Sequence, residues 1–182
     1  MISTKSLDSD HAVSSENSAL NASAEPSDRS FARVFHTDAI IVFGEDATKS
    51  TVITQLVDRL AKTARLCSEH TAEIIDRISS RERMASTAFG RGFAFPHLRT
   101  LHVQEFIGAI GIFPSGVAFD SNDGDQTKVV FLTLSPHADR GQHIELLSRL
   151  VSLLSNKAAI IQLTTSNNAL SLYQSLCRLD SR

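Results

Sequence analysis

Residues 81–97 read Arg81-Glu82-Arg83-Met84-Ala85-Ser86-Thr87-Ala88-Phe89-Gly90-Arg91-Gly92-Phe93-Ala94-Phe95-Pro96-His97. The chain changes character within this stretch. Before it, apolar residues recur at helical spacing; after it, short apolar runs are bounded by glycine, proline and polar turns. Gly90 and Gly92 permit tight turning, and Pro96 fixes its own φ and biases Phe95 towards extended geometry. The stretch therefore reads as a stiff strand end that presents the imidazole of His97 at a defined place.

Upstream, Thr48 is placed to cap a helix running to about Ala64, with Val52, Ile53, Leu56, Val57 and Leu60 on one face. A second helix spans Glu69 to Met84, with Ile74, Ile75 and Ile78 as its stripe. Ala39 to Phe43, closed by Gly44, reads as a buried strand. Downstream, Phe106 to Phe113 and Val129 to Leu134 read as strands, the second ended by Pro136. Asp139 is expected to cap a helix from Arg140 to Leu154, and shorter helices follow over Ala158–Leu163 and Asn168–Arg178. Helices on both sides of the strands predict an α/β fold: a single domain with a mixed β-sheet flanked by α-helices.

The chain has 182 residues, enough for one domain with a buried core. Residues 1–34 are rich in Ser, Asn, Ala, Asp and Glu, with isolated apolar residues, and are expected to form a disordered or loosely attached extension. A short induced helix over Ser14–Ala24 is conceivable within it. The domain is expected over residues 35–182. A net charge of -2 argues against a dedicated nucleic-acid binder. Cys67 and Cys177 form no CxxC pair, which argues against a disulfide framework or structural zinc. No apolar run approaches the length of a membrane span, and the N-terminus lacks the pattern of a signal peptide. These features point to a cytoplasmic protein without direct membrane insertion.

Seven histidines offer candidate chemistry: His11, His36, His70, His97, His102, His137 and His143. None forms an HExxH pair, so no metal site is expected. His97 stands apart because its backbone is stiffened. A rigidly held neutral imidazole is a good nucleophile near pH 7, although local chemistry alone favours a turn with a surface histidine.

The 81–97 stretch resembles the signature of enzyme IIA domains of the bacterial phosphotransferase system, in the fructose/mannitol and nitrogen-regulatory branch (EIIA type-2). Arg81-Glu82, Ser86-Thr87 and Gly90-x-Gly92-x-Ala94-x-Pro96-His97 occur together at that family's spacing. The resemblance covers Phe35 to Arg178. It implies that His97 carries a phosphoryl group. It further assigns catalytic roles to Arg81, sixteen residues earlier, and His143, forty-six residues later. A guanidinium suits phosphate oxygens, and a histidine in the first turns of a helix lies near exposed N–H groups. Ser86 and Thr87 are weaker phosphate-binding candidates. Leu98 replaces the family's usual glycine, and Phe93 and Phe95 replace aliphatics; Leu98, Phe89 and Phe95 form a candidate apolar docking patch.

The activity implied is that of a protein phosphotransferase within a phosphoenolpyruvate-dependent system, with no cofactor. The implied partners are an HPr-like phosphocarrier as donor and a IIB protein or a regulatory target as recipient, not a nucleic acid. Two roles stay open: relay to IIB in sugar uptake, or a standalone regulatory IIA whose phosphorylation state controls target binding. The lack of an appended domain leans towards a standalone protein.

Overall fold

The structure, a computed structural model, describes residues 30–45, 47–121 and 123–180. Its elements are α1 (Phe31–Val34), β1 (Phe35–Val42), α2 (Lys49–Lys62), α3 (Thr71–Met84), β2 (Ala88–Gly90), β3 (Phe93–Ala94), β4 (His97–Thr100), β5 (Ile107–Val117), β6 (Thr127–Pro136), α4 (Arg140–Ser152), α5 (Lys157–Thr164) and α6 (Ala169–Asp180). The predicted helices all form within about two residues of their expected ends. Thr48 caps α2 through a reciprocal capping box with Thr51. Asp139 occupies the cap position of α4, but its side chain makes no capping hydrogen bond.

The sheet runs β1-β5-β6-β3-β2, and β4 pairs with β6 beyond the end of β3. β5 and β6 are antiparallel, whereas β1 on β5 and both β3 and β4 on β6 are parallel, so the sheet is mixed as expected. Period-2 alternation on β6 splits the core between two faces. Val130, Leu132 and Leu134 join α2 and α3 residues such as Leu56, Leu60, Ile74 and Ile78. Val129 and Phe131 join Leu146, Leu150, Leu163, Leu172 and Leu176 of α4–α6. The same alternation carries Thr133 and Ser135 to the α4 side, where apolar packing gives way to polar groups. Gly108 allows the sheet to close around Phe35: a Cβ there would stand 2.3 Å from the Phe35 ring.

The N-terminal boundary differs from the expectation. Phe31 and Val34 belong to the core, at 1% and 0% exposure. Phe31 N–H donates to Asp180 Oδ2 at 2.7 Å, and the Arg149 guanidinium lies over its ring at 4.9 Å. Phe31 is isolated in sequence, but its partners arrive from the far end of the chain. The possible helix over Ser14–Ala24 lies outside the described residues.

Candidate functional site

The glycine-rich stretch folds as three short strands. Gly90, Arg91 and Gly92 all have positive φ (93°, 55° and 85°) and make the turn between β2 and β3. The turn is pinned from outside: Arg91 N–H donates to Asp123 Oδ2 at 2.9 Å and Arg91 Nη1 to Leu154 O at 2.6 Å. A Cβ on Gly90 would meet that same carboxylate at 2.3 Å. β3 then pairs with β6 through Phe93 and Ala94. Phe95 and Pro96 interrupt the pairing, and β4 resumes it with His97 opposite Thr133. Phe95 is stacked on Phe131, with ring centroids 5.8 Å apart. The segment bearing His97 is thus held by ladder bonds and a buried aromatic stack.

His97 Nδ1 donates to the carbonyl of Phe95 at 2.8 Å. That contact assigns the ring's hydrogen to Nδ1 and leaves Nε2 as a lone pair. Burial, assisted by the charge of Arg81, pushes the His97 pKa below the ordinary 6.5, against the opposing effects of the Phe95 carbonyl and Glu82. His97 is therefore neutral near pH 7.

His143 lies across from it on α4, with ring centroids 5.1 Å apart and planes inclined at 55°. It is 7% exposed, and its Nδ1 lies 2.7 Å from Ser135 Oγ. Burial first, then His97, Arg99 and Arg81, lower its pKa to about 4. Arg81, half-buried near the end of α3, acts electrostatically on both rings, and its own contacts are with Ala85 O at 3.4 Å and the Glu82 carboxylate at 3.7 Å. Arg99, given little weight from sequence, joins them: it follows His97 on the same face of β4, opposite Ser135.

Ser86 and Thr87 are engaged elsewhere. Ser86 Oγ donates to Phe119 O at 2.7 Å and receives Lys49 Nζ at 3.2 Å. Thr87 gives its N–H and its hydroxyl to the two carboxylate oxygens of Glu82, at 3.0 and 2.5 Å. They tie the α3–β2 link rather than standing free for an anion. Glu82, to which the sequence reading gave no role, is the centre of this network: it is 5% exposed and paired with Lys49 at 2.9 Å and Arg81 at 3.7 Å. A buried carboxylate requires such partners. The adjacent Arg-Glu pair was the signal available, since it puts one charge towards the site and the next into the core.

The expected apolar patch is also altered. Phe95 is buried and Leu98 packs into the core beside α2 and α3, leaving Phe89 open at 51% exposure. Met84 and Ile144, which follow Arg81 and His143 closely in sequence, are exposed apolar residues too.

Donor atoms of Cys67, Glu69 and His70 lie within 4.8 Å of one another on the surface before α3. Glu69 pairs with His70 at 3.3 Å, which accounts for their approach.

Residues 33–178 match the model of the family described as "Phosphoenolpyruvate-dependent sugar phosphotransferase system, EIIA 2". The chain belongs to this family. As an EIIA type-2 member it is a phosphotransferase component of the histidine phosphoryl-relay kind. It is 31% identical over 127 residues to a nitrogen regulatory protein of Pseudomonas aeruginosa, covering 70% of this chain and 81% of that protein. Its fold superimposes on the nitrogen regulatory protein IIA-Ntr of Neisseria meningitidis with a TM-score of 0.71 and 27% identity, over 80% of this chain and 98% of the other. Mannitol IIA of Escherichia coli, solved in complex with phosphorylated mannitol IIB, shares the fold with a TM-score of 0.64 and 20% identity, over 80% of this chain and 99% of the other. Among the described residues no helix is long and apolar enough to cross a membrane.

Proposed function

We propose that His97 is the phosphoryl acceptor of this EIIA protein, that the donor is a phosphohistidine on an HPr-like carrier, and that the group passes on to a IIB protein in the cytoplasm. The observation that carries this reading is the Nδ1 contact of His97 with the Phe95 carbonyl, beside a second neutral imidazole and a guanidinium. Nε2 attacks phosphorus in line as the donor N–P bond breaks. The donor ring, protonated on its other nitrogen, leaves as neutral imidazole. His97 keeps its Nδ1 hydrogen on the Phe95 carbonyl, so no proton has to move. Charge on the three equatorial oxygens is met by Arg81 and His143, and catalysis is positioning plus electrostatics.

Incubation with phosphorylated carrier should place an acid-labile, base-stable phosphate on His97, and His97→Ala should take up none. Label retained in His97→Ala would assign acceptance to another residue. A regulatory output is favoured by the likeness to nitrogen regulatory proteins over most of their length. In that reading the recipient is a target protein that senses the phosphate charge on this surface. Transfer of label to IIB proteins, set against pull-downs with the two phosphorylation states, separates the two outputs.

A further inference from the structure

Ser135 is fully buried on β6, on the face that meets α4. Its Oγ lies 2.7 Å from Nδ1 of His143. The hydrogen in this contact can belong to either group. If Nδ1–H donated to Oγ, the serine hydrogen would be buried with no acceptor, because among the described residues this hydroxyl has no other hydrogen-bond partner. If the hydroxyl donates to Nδ1, both groups are satisfied, and the hydrogen of the neutral ring falls on Nε2. Buried donors are almost always paired, so the surroundings favour the second arrangement.

We infer that Ser135 is a positioning residue: its hydroxyl donates to Nδ1 of His143, fixing the ring's orientation and placing its hydrogen on Nε2, ready for the oxygens of a phosphoryl group on His97. The two imidazoles are then set in opposite tautomers. His97, bonded through Nδ1–H to the Phe95 carbonyl, presents a lone pair at Nε2. His143, accepting at Nδ1, presents a hydrogen. The distinction matters because His143 is neutral at physiological pH, in a setting shared with His97 and Arg99 of β4 and Arg81 of α3. A neutral ring has only one N–H to offer, and the wrong tautomer would turn a lone pair towards an anion. The inference rests on His97 as the acceptor, but the tautomer itself is a property of the free protein.

Long-range proton–nitrogen correlation spectra of the labelled full-length protein near pH 7 read both rings. The expected pattern is His143 with bare, hydrogen-bonded Nδ1 and protonated Nε2, and His97 with the reverse. Ser135→Ala should shift the His143 Nδ1 resonance to its unbonded position. It should also slow phosphoryl acceptance from the carrier by about fivefold, the rate equivalent of one ordinary hydrogen bond. Ser135→Thr, which keeps a hydroxyl, should restore both. A wild-type His143 carrying its hydrogen on Nδ1 would overturn the inference, as would wild-type transfer rates in Ser135→Ala. Should Ser135→Ala fail to fold, the wild-type spectrum alone decides. Failure of wild-type protein to accept phosphate on His97 would instead overturn the preceding assignment, while the spectrum still judges the Ser135 contact.

Discussion

Two polar clusters flank Arg81, and they are finished differently. Around Glu82 the carboxylate is saturated: the Thr87 N–H and hydroxyl donate to its two oxygens, and Lys49 and Arg81 supply charge. Around the two histidines Nδ1 of each ring is bonded, to Phe95 O and Ser135 Oγ, while among the described residues neither Nε2 has a hydrogen-bond partner. The saturated cluster locks α3 to the β2 strand. The half-saturated one holds each ring by one nitrogen and leaves the other without a protein partner among the described residues, which is what transfer of a charged group between proteins requires.

The sharpest way to divide the clusters is to remove one member from each. His97→Ala should abolish phosphate uptake entirely while leaving the urea midpoint close to wild type, because the β4 ladder does not depend on the imidazole. Glu82→Ala should do the opposite kind of damage. It strands the Thr87 donors and deprives Lys49 of its buried partner, for a loss of about 3 kcal/mol in denaturant titrations. If His97→Ala were the more destabilising of the two, the division of labour drawn between the clusters would be wrong.

Much of this arrangement was legible in the sequence. The helices announced themselves by apolar spacing, and β5 and β6 by continuous apolar runs. Pro96 and the paired glycines marked the rigid entry to His97. What stayed hidden depended on distant partners. Phe31 looked like an isolated residue in a polar tail because Asp180 and Arg149 are remote in sequence. Ser86 and Thr87 read as weak phosphate ligands or as turn residues because Phe119 and Glu82 could not be seen to claim their hydroxyls. Leu98 looked like a docking residue because strand alternation, which turns it into the core, requires knowing that β4 starts at His97. The Ser135–His143 contact joins a strand end to a helix and carries no local signature.

His143 gives a subtler test. His143→Ala should slow phosphoryl acceptance by about a hundredfold, the usual effect of deleting one preorganised donor to a developing anion. Its titration should also appear in stability. The folded protein keeps His143 neutral down to about pH 4, whereas the unfolded chain takes up a proton below the ordinary 6.5. Its contribution is therefore complete above pH 6.5 and is lost as the pH falls towards 4. His97 shifts in the same direction. Urea midpoints across this range should fall less steeply in His143→Phe than in wild type; equal slopes would place the titrating group elsewhere.

The smallest expected effect concerns the floor beneath the two rings. Thr133 is in register with His97, fully buried, and among the described residues its Oγ1 has no hydrogen-bond partner. A buried hydroxyl left unpaired is a cost that neither cluster relieves. Thr133→Val keeps the branched shape suited to a central strand and removes the stranded group. The variant should be more stable by about 1 kcal/mol, with phosphoryl acceptance unchanged. A stabilised variant that transfers at the wild-type rate would confine the chemistry to the outward nitrogens of the two rings. A stabilised variant that transfers slowly would instead extend the functional cluster downwards into β6, making the unpaired hydroxyl the third member of a set whose other inward contacts are Phe95 O and Ser135 Oγ.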